Sequence, residues 1–194
     1  MISKNGIEQD LVDKFVQVAH TDLDAVKSML EAEPSLLNSR SSIDGEMAIQ
    51  AASHMGRRKI AEYLLEMGAP PNICTASLLA DARTVREMLA QDRKLAHAGD
   101  AHGNPLAYFV ALGGSLEIAE EVLSHGADFN LGGGSNTALH AAAFANRAEM
   151  AEWLLKHGAN PDLTNFEGKT PLQVAVAQKR TEVEGAIRRI TSGD

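Results

Sequence analysis

The stretch Thr137-Ala-Leu-His-Ala-Ala-Ala143, followed by Met150-Ala-Glu-Trp-Leu-Leu-Lys-His-Gly-Ala-Asn160, decides the fold of this chain. Part of it recurs 33 residues later as Thr170-Pro-Leu-Gln-Val-Ala-Val176. A unit of this length, with small residues in one helix and Leu-Leu-x-x-Gly-Ala ending a second, is typical of a helical solenoid. Solenoids bind over a long surface and not in a catalytic pocket, so the pattern predicts contact with a partner.

The unit at 131–162 predicts two helices and no core of its own. Thr137 is suited to cap the first helix, because its hydroxyl can accept from unpaired backbone N–H groups. Asn146 falls where that helix must end, and Asn tolerates the left-handed conformation found there. A second, more amphipathic helix then runs to Gly158. Such a unit must stack on copies of itself to bury its apolar faces.

Copies of the unit extend in both directions, which predicts one all-α domain over 1–194, built from about six helix-turn-helix units. The predicted units are 8–38, 39–72, 73–98, 99–130, 131–162 and 163–190. The first and third are degenerate and resemble each other. Gly68 and Gly126 are 58 residues apart, eight short of two periods, and the shortage falls between Pro70 and Thr75. The third unit is therefore predicted to lack the hairpin-like loop that should precede it.

These residues resemble the ankyrin repeat, whose pattern runs Asp-x-x-Gly, Thr-Pro-Leu-His, an Ala pair, a Gly, Leu-Leu and Gly-Ala-Asp. Unit five matches it at 137–143 and 154–160, unit six at 168–172, and unit four at 100–103 and 126–128. The resemblance covers roughly residues 8–190 and implies an all-α solenoid whose helix pairs are joined by β-hairpin-like loops. The degenerate units resemble a variant common in bacterial ankyrin proteins.

The chain departs from the ankyrin pattern at a few positions. Gln50 and Gln173 replace the His of Thr-Pro-Leu-His, and Pro105 lies one residue early. Where the His is kept, at His140, the resemblance implies a hydrogen bond between units.

The resemblance also implies a concave face, made by the loop tips and the solvent side of the first helices, on which a partner protein docks. The variable positions of the motif give the predicted contact residues Ile43, Asp44, Glu46, His54, Met55, His102, Asn104, Leu112, Asn136, Phe144, Phe166, Glu167, Lys169 and Gln178. Aromatic and Met side chains often anchor interfaces, which singles out Met55, Phe144 and Phe166. The alternative is that these three cover neighbouring repeats.

Composition and charge limit the classes of partner. The net charge of −8 repels nucleic-acid phosphates and anionic lipid, so neither nucleic acid nor membrane is expected as a partner. Residues 8–33 hold seven acidic and two basic side chains, whereas 168–194 hold three acidic and five basic. A basic partner is therefore expected near the N-terminal half. The sole cysteine, Cys74, cannot form an internal disulfide. With no apolar signal core at 1–6 and no membrane-length run, a cytoplasmic monomer is expected.

A competing hypothesis is a small-ligand or metal-binding protein, or an enzyme, that uses the central loop His97–His102. Imidazole and carboxylate groups lie close together there, but a clear third and fourth ligand are lacking, and Asp100 is the turn residue of its repeat. The glycines of Leu131–Ser135 lack the Gly-Lys-Ser/Thr ending of a nucleotide-binding loop. The sequence thus favours a non-catalytic protein-binding module without catalytic residues, metal ligands or cofactor.

Overall fold

The computed structural model describes residues 6–132 and 134–192, and within them the chain forms twelve α-helices, two 3₁₀ helices and no strand. Residues 1–5, Gly133 of the glycine-rich loop and the last two residues lie outside this description. The chain divides into two compact units, 1–75 and 76–194. Their boundary falls near the predicted junction at 70–75.

The first compact unit contains four complete helices. They are α1 (Gln9–Val18), α2 (Leu23–Ala32), α3 (Ala48–His54) and α4 (Arg58–Glu66), with a 3₁₀ helix over Pro34–Leu36. Helix α1 packs against α3, and α2 packs against α4. The first helices of neighbouring repeats therefore stack in one layer and the second helices in another, as the 33-residue unit predicts.

The second compact unit repeats this arrangement. Helix α5 (Ile73–Leu79) crosses the boundary and is followed by α6 (Ala82–Gln91), a 3₁₀ helix (Arg93–His97), α7 (Leu106–Gly113), α8 (Leu116–Ser124), α9 (Ala138–Phe144), α10 (Ala148–Lys156), α11 (Pro171–Ala177) and α12 (Thr181–Ser192). Helix α9 packs against both α7 and α11, whereas α10 packs against α12 and α6 against α8. The all-α repeat architecture predicted from the sequence is confirmed.

Small residues allow the first helices to approach closely. Ala51 and Ala52 of α3 and Ala142 and Ala143 of α9 are fully buried. One close approach is at Gly113, where an added Cβ would lie only 2.2 Å from the carbonyl oxygen of Ser77. A methyl group cannot fit at this distance, so the contact between α5 and α7 depends on glycine.

The loops between repeats differ in length, and the one before α5 is too short to form a hairpin. Antiparallel bridges join Arg40 to Met47 and Gly99 to Pro105, so the loops before the second and fourth repeats are hairpin-like. Six residues separate the end of α4 from the start of α5, and the structure records no bridge in this described segment. The side chain of Asn72 accepts the N–H of Thr75 at 2.9 Å, which satisfies one backbone donor of the first turn of α5. The predicted loss of the third hairpin is confirmed.

The degenerate first and third repeats share a second structural feature. In each, the second helix is capped by an aspartate, Asp22 for α2 and Asp81 for α6, and continues into a 3₁₀ helix. A left-handed residue recurs in three of the turns between paired helices: Asn146 has a φ of 55°, as predicted, and Ala80 and Lys179 have 61° and 56°.

Candidate functional site

The loop before α11 presents an exposed aromatic side chain on a fixed backbone. Asn165 is buried, and its side-chain oxygen accepts the N–H groups of Glu167 and Lys169, each at 3.0 Å. The N–H of Phe166 donates to the carbonyl of Ser135 at 3.1 Å, which ties this loop to the preceding one. The Phe166 side chain is nevertheless 69% exposed. The loop therefore holds an apolar ring in solvent without burying it.

A hydrogen bond from His140 anchors the loop that presents Phe166. Its Nε2 donates to the carbonyl oxygen of Lys169 at 2.9 Å, and its Nδ1 lies 3.3 Å from the N–H of Thr137 and 2.8 Å from its hydroxyl. A carbonyl can only accept, so the ring proton is on Nε2 and Nδ1 accepts from Thr137. Burial lowers the pKa of His140, which favours this neutral form. The hydrogen bond between units that the family resemblance implied is confirmed.

Where histidine is absent, glutamine makes the hydrogen bond at the start of the helix that Nδ1 of His140 makes in the fifth repeat. The side-chain oxygen of Gln50 accepts the N–H of Met47, and that of Gln173 accepts the N–H of Thr170, both at 2.9 Å. In the fourth repeat the corresponding cap is Pro105, which has no N–H. Because no donor needs a partner there, the departures at these positions leave the helix starts intact.

Eight of the fourteen predicted contact residues are exposed, and three more are partly exposed. The exposed ones are Ile43, Asp44, His102, Phe144, Phe166, Glu167, Lys169 and Gln178, and the partly exposed ones are His54, Met55 and Asn136. Among the apolar members, Ile43 is 84% exposed and Phe144 38%. Lys169 and Glu167 pair at 2.7 Å beside Phe166.

The other three predicted contact residues do not face solvent, and the expectation that they do was wrong. Glu46 is 1% exposed, and its carboxylate lies 3.0 Å from Nδ1 of His54. Asn104 is 7% exposed, because its amide donates to Asp100 at 2.8 Å and turns back on its own loop. Leu112 is 3% exposed, since every residue of α7 is buried.

The central loop shows why the competing metal hypothesis is not favoured. One carboxylate oxygen of Asp100 accepts the N–H groups of His102 and Asn104 at 3.0 and 2.9 Å, and the other accepts the Asn104 amide. The carboxylate therefore organises the turn of its repeat. Burial, and to a lesser extent the negative charge of Asp100, raises the pKa of Tyr108 to about 12.

Sequence reasoning missed one cluster, in the first compact unit. His20, Glu46 and His54 each place a ligand atom within 4.8 Å of the other two. Only His54 and Glu46 were predicted as functional, and only as contacts for a partner. The available signal was the spacing of 34 residues between His20 and His54, which puts them at the same position of adjacent repeats.

Two family models match the chain: one for ankyrin repeats in many copies over residues 122–175, and one for the single ankyrin repeat over 44–76. Human SH3 and multiple ankyrin repeat domains protein 2 is 27% identical over 155 residues, which cover 75% of this chain and 8% of that protein. Protein glp-1 of Caenorhabditis elegans is 27% identical over 158 residues, which cover 70% of this chain and 12% of that protein.

These matches show that the chain contains ankyrin repeats, which generally serve as protein-interaction modules. It spans about a tenth of the length of these two relatives. Among the described residues, no helix combines the length and apolar character needed to cross a membrane.

Proposed function

We propose that this chain is a non-catalytic module that binds a partner protein through its loop tips and the exposed ends of its first helices. The observation that carries the proposal is Phe166, whose backbone is tied to Ser135 and to the Asn165 turn while its ring stays in solvent. A preorganised aromatic loses little conformational entropy on binding, so it is well suited to anchor an interface.

Polar groups around Phe166 fit the edge of such an interface. Glu167 and Lys169 flank the ring in sequence and form an exposed ion pair. Exposed pairs contribute little to stability, but charged groups at an interface rim steer association and select partners. Phe144, at the end of α9, supplies a second exposed aromatic in the same compact unit.

The proposal extends to the setting in which the module acts. We propose that it works as a cytoplasmic monomer that uses neither nucleic acid nor membrane as its partner. The acidic balance of the chain supports this exclusion, because like charges repel phosphate groups. The small-ligand, metal or enzymatic use of the His97–His102 loop is not proposed, since Asp100 is engaged within its own turn.

The test is a quantitative comparison of variants. Affinity capture from the native cell with the wild-type chain, followed by identification and purification of the captured protein, supplies the partner for binding measurements. We expect the double variant Phe144→Ala, Phe166→Ala to weaken that binding by about thirtyfold or more, corresponding to about 2 kcal/mol or more for anchor residues.

The matched control is Met67→Ala, because Met67 is also an exposed apolar residue, 50% exposed, but follows a second helix. It should bind the partner like the wild type. Circular dichroism and urea unfolding check that all variants fold. Unchanged affinity of the double variant would place the binding surface elsewhere and overturn the proposal.

A further inference from the structure

Two imidazoles and one carboxylate meet in the first compact unit. His20 follows α1 and His54 ends α3, and these first helices pack against each other. The two ring centroids are 5.0 Å apart, with an angle of 63° between the ring planes. Glu46, just before α3, completes the group, and one ligand atom from each of the three lies within 4.8 Å of the others. The stacking of repeats therefore creates a cluster that neither repeat contains alone.

The hydrogen bonds of His20 use Nδ1 and leave Nε2 available to bind a metal ion. Its Nδ1 lies 3.1 Å from the carbonyl oxygens of both Val16 and Gln17. Carbonyls only accept, so Nδ1 carries the proton and Nε2 carries the lone pair. Histidines that ligate metals almost always donate their other ring N–H to a carbonyl or carboxylate, which fixes the ring. His20 is oriented in this way by its own helix.

The spacing of His54 and Glu46 also suits a metal ion. Nδ1 of His54 is 3.0 Å from Oε1 of Glu46. Two ligands at about 2.0–2.1 Å from a tetrahedral ion lie about 3.3 Å apart, so a shift of a few tenths of an ångström admits the ion in place of the shared proton. Glu46 is buried, and a bound dication would stabilise its carboxylate electrostatically.

We propose that His20, Glu46 and His54 form a binding site for a divalent transition metal of the zinc class. Two neutral imidazoles and a carboxylate are a ligand set that zinc takes in proteins. Carboxylates suit calcium and magnesium as well, but imidazole does not, so the two histidines select the transition metal. Three protein ligands would leave the fourth position of a tetrahedral zinc ion open to water. Bound metal links α1 to α3 and stabilises the folded first unit.

The experiment measures Zn²⁺ binding to the full chain after treatment with chelator. Isothermal titration should show one saturable site, and Zn²⁺ should raise the midpoint of thermal unfolding. We expect His20→Gln and His54→Gln each to weaken binding by about a hundredfold or more, because loss of an outer hydrogen-bond partner of a ligand alone costs 10–100-fold. Co²⁺ should give the visible absorption of a tetrahedral site in the wild type and lose it in both variants.

The matched control is His97→Gln, which removes one exposed imidazole from the competing loop. It should bind Zn²⁺ like the wild type, and loss of binding in this variant would assign the metal to the loop and overturn the proposal. Absence of a saturable Zn²⁺ site in the wild type, or wild-type affinity in His20→Gln, would also overturn it. If His54→Gln fails to fold without metal, His20→Gln carries the test, since the hydrogen bonds recorded for the His20 ring among the described residues go to the backbone carbonyls of Val16 and Gln17.

Discussion

His140 shows how one side chain connects two repeats. Both ring nitrogens are used, with Nδ1 accepting from Thr137 and Nε2 donating to the carbonyl of Lys169. Glutamine at the corresponding positions, Gln50 and Gln173, keeps the first of these bonds. The distinct contribution of histidine is therefore the bond to the following loop, which presents Phe166.

His140→Gln is expected to lower the free energy of unfolding by about 1 kcal/mol at pH 7.5, because the bond to Lys169 is lost. The pH dependence should also change. Burial lowers the pKa of folded His140 below the unfolded value of about 6.5, so the unfolded state binds more protons as pH falls. The stability due to neutral His140 is present above that value and is lost as pH falls through the folded pKa.

Because glutamine does not titrate, the difference in unfolding free energy between wild type and His140→Gln should shrink between pH 7.5 and pH 5. Urea unfolding at the two pH values measures it. A difference that stays constant or grows would show that protonation of His140 does not weaken the native state.

At the scale of helices, the contact between α5 and α7 requires that Gly113 has no side chain. Gly113→Ala would place a Cβ 2.2 Å from the carbonyl oxygen of Ser77, and backbone must move to relieve it. We expect the free energy of unfolding to fall by about 1–3 kcal/mol, the usual cost of overpacking a core. Chemical denaturation with circular dichroism detection is a sufficient measurement.

Gly185→Ala is the matched control, since Gly185 lies inside α12 and an added Cβ would meet nothing within 4 Å. Alanine is a better helix former than glycine, so this variant should gain roughly 0.5–1 kcal/mol. Opposite signs for the same chemical change would identify close helix approach as the cause. A stability for Gly113→Ala equal to the wild type would mean that the two helices separate at little cost.

For the whole molecule, sequence periodicity predicted the architecture because each helix pair buries its apolar faces against the neighbouring pairs in the same way. The stretch Thr137–Asn160 defined the register of the repeats, and the short spacing from Gly68 to Gly126 located the missing hairpin. Burial at the loops was harder to predict. A variable motif position tells where a backbone lies, but not whether a polar side chain folds back on its own turn, as Asn104 does onto Asp100.

The His20 cluster escaped prediction for a related reason. His20 belongs to a degenerate repeat, in which few motif residues mark the phase. Its neighbour His54 was identified from a better repeat, and only the stacking of α1 on α3 shows that the two rings meet. Contacts between repeats follow from sequence only where both repeats keep the pattern.

The uneven charge distribution of the whole molecule bears on the proposed binding of a partner. Residues 8–33 carry seven acidic and two basic side chains, which we propose attract a basic surface on the partner. Screening by salt should therefore slow association, because steering acts at distances comparable to the Debye length, about 10 Å at 0.1 M. Surface plasmon resonance with the captured partner, at about 0.05 M and about 0.5 M salt, should show a lower association rate at high salt and a nearly constant dissociation rate.

A pair of variants with the same net charge locates the effect. Asp24→Asn with Glu31→Gln neutralises two exposed carboxylates within residues 8–33. Glu149→Gln with Asp162→Asn neutralises two exposed carboxylates in the second compact unit, 76–194. Asp24 and Glu149 both lie in the first turn of a helix, so the helix-dipole cost is similar. The first pair should reduce both the association rate and its salt dependence more than the second. Equal effects would mean that net charge alone matters, and rates independent of salt would remove steering from the mechanism.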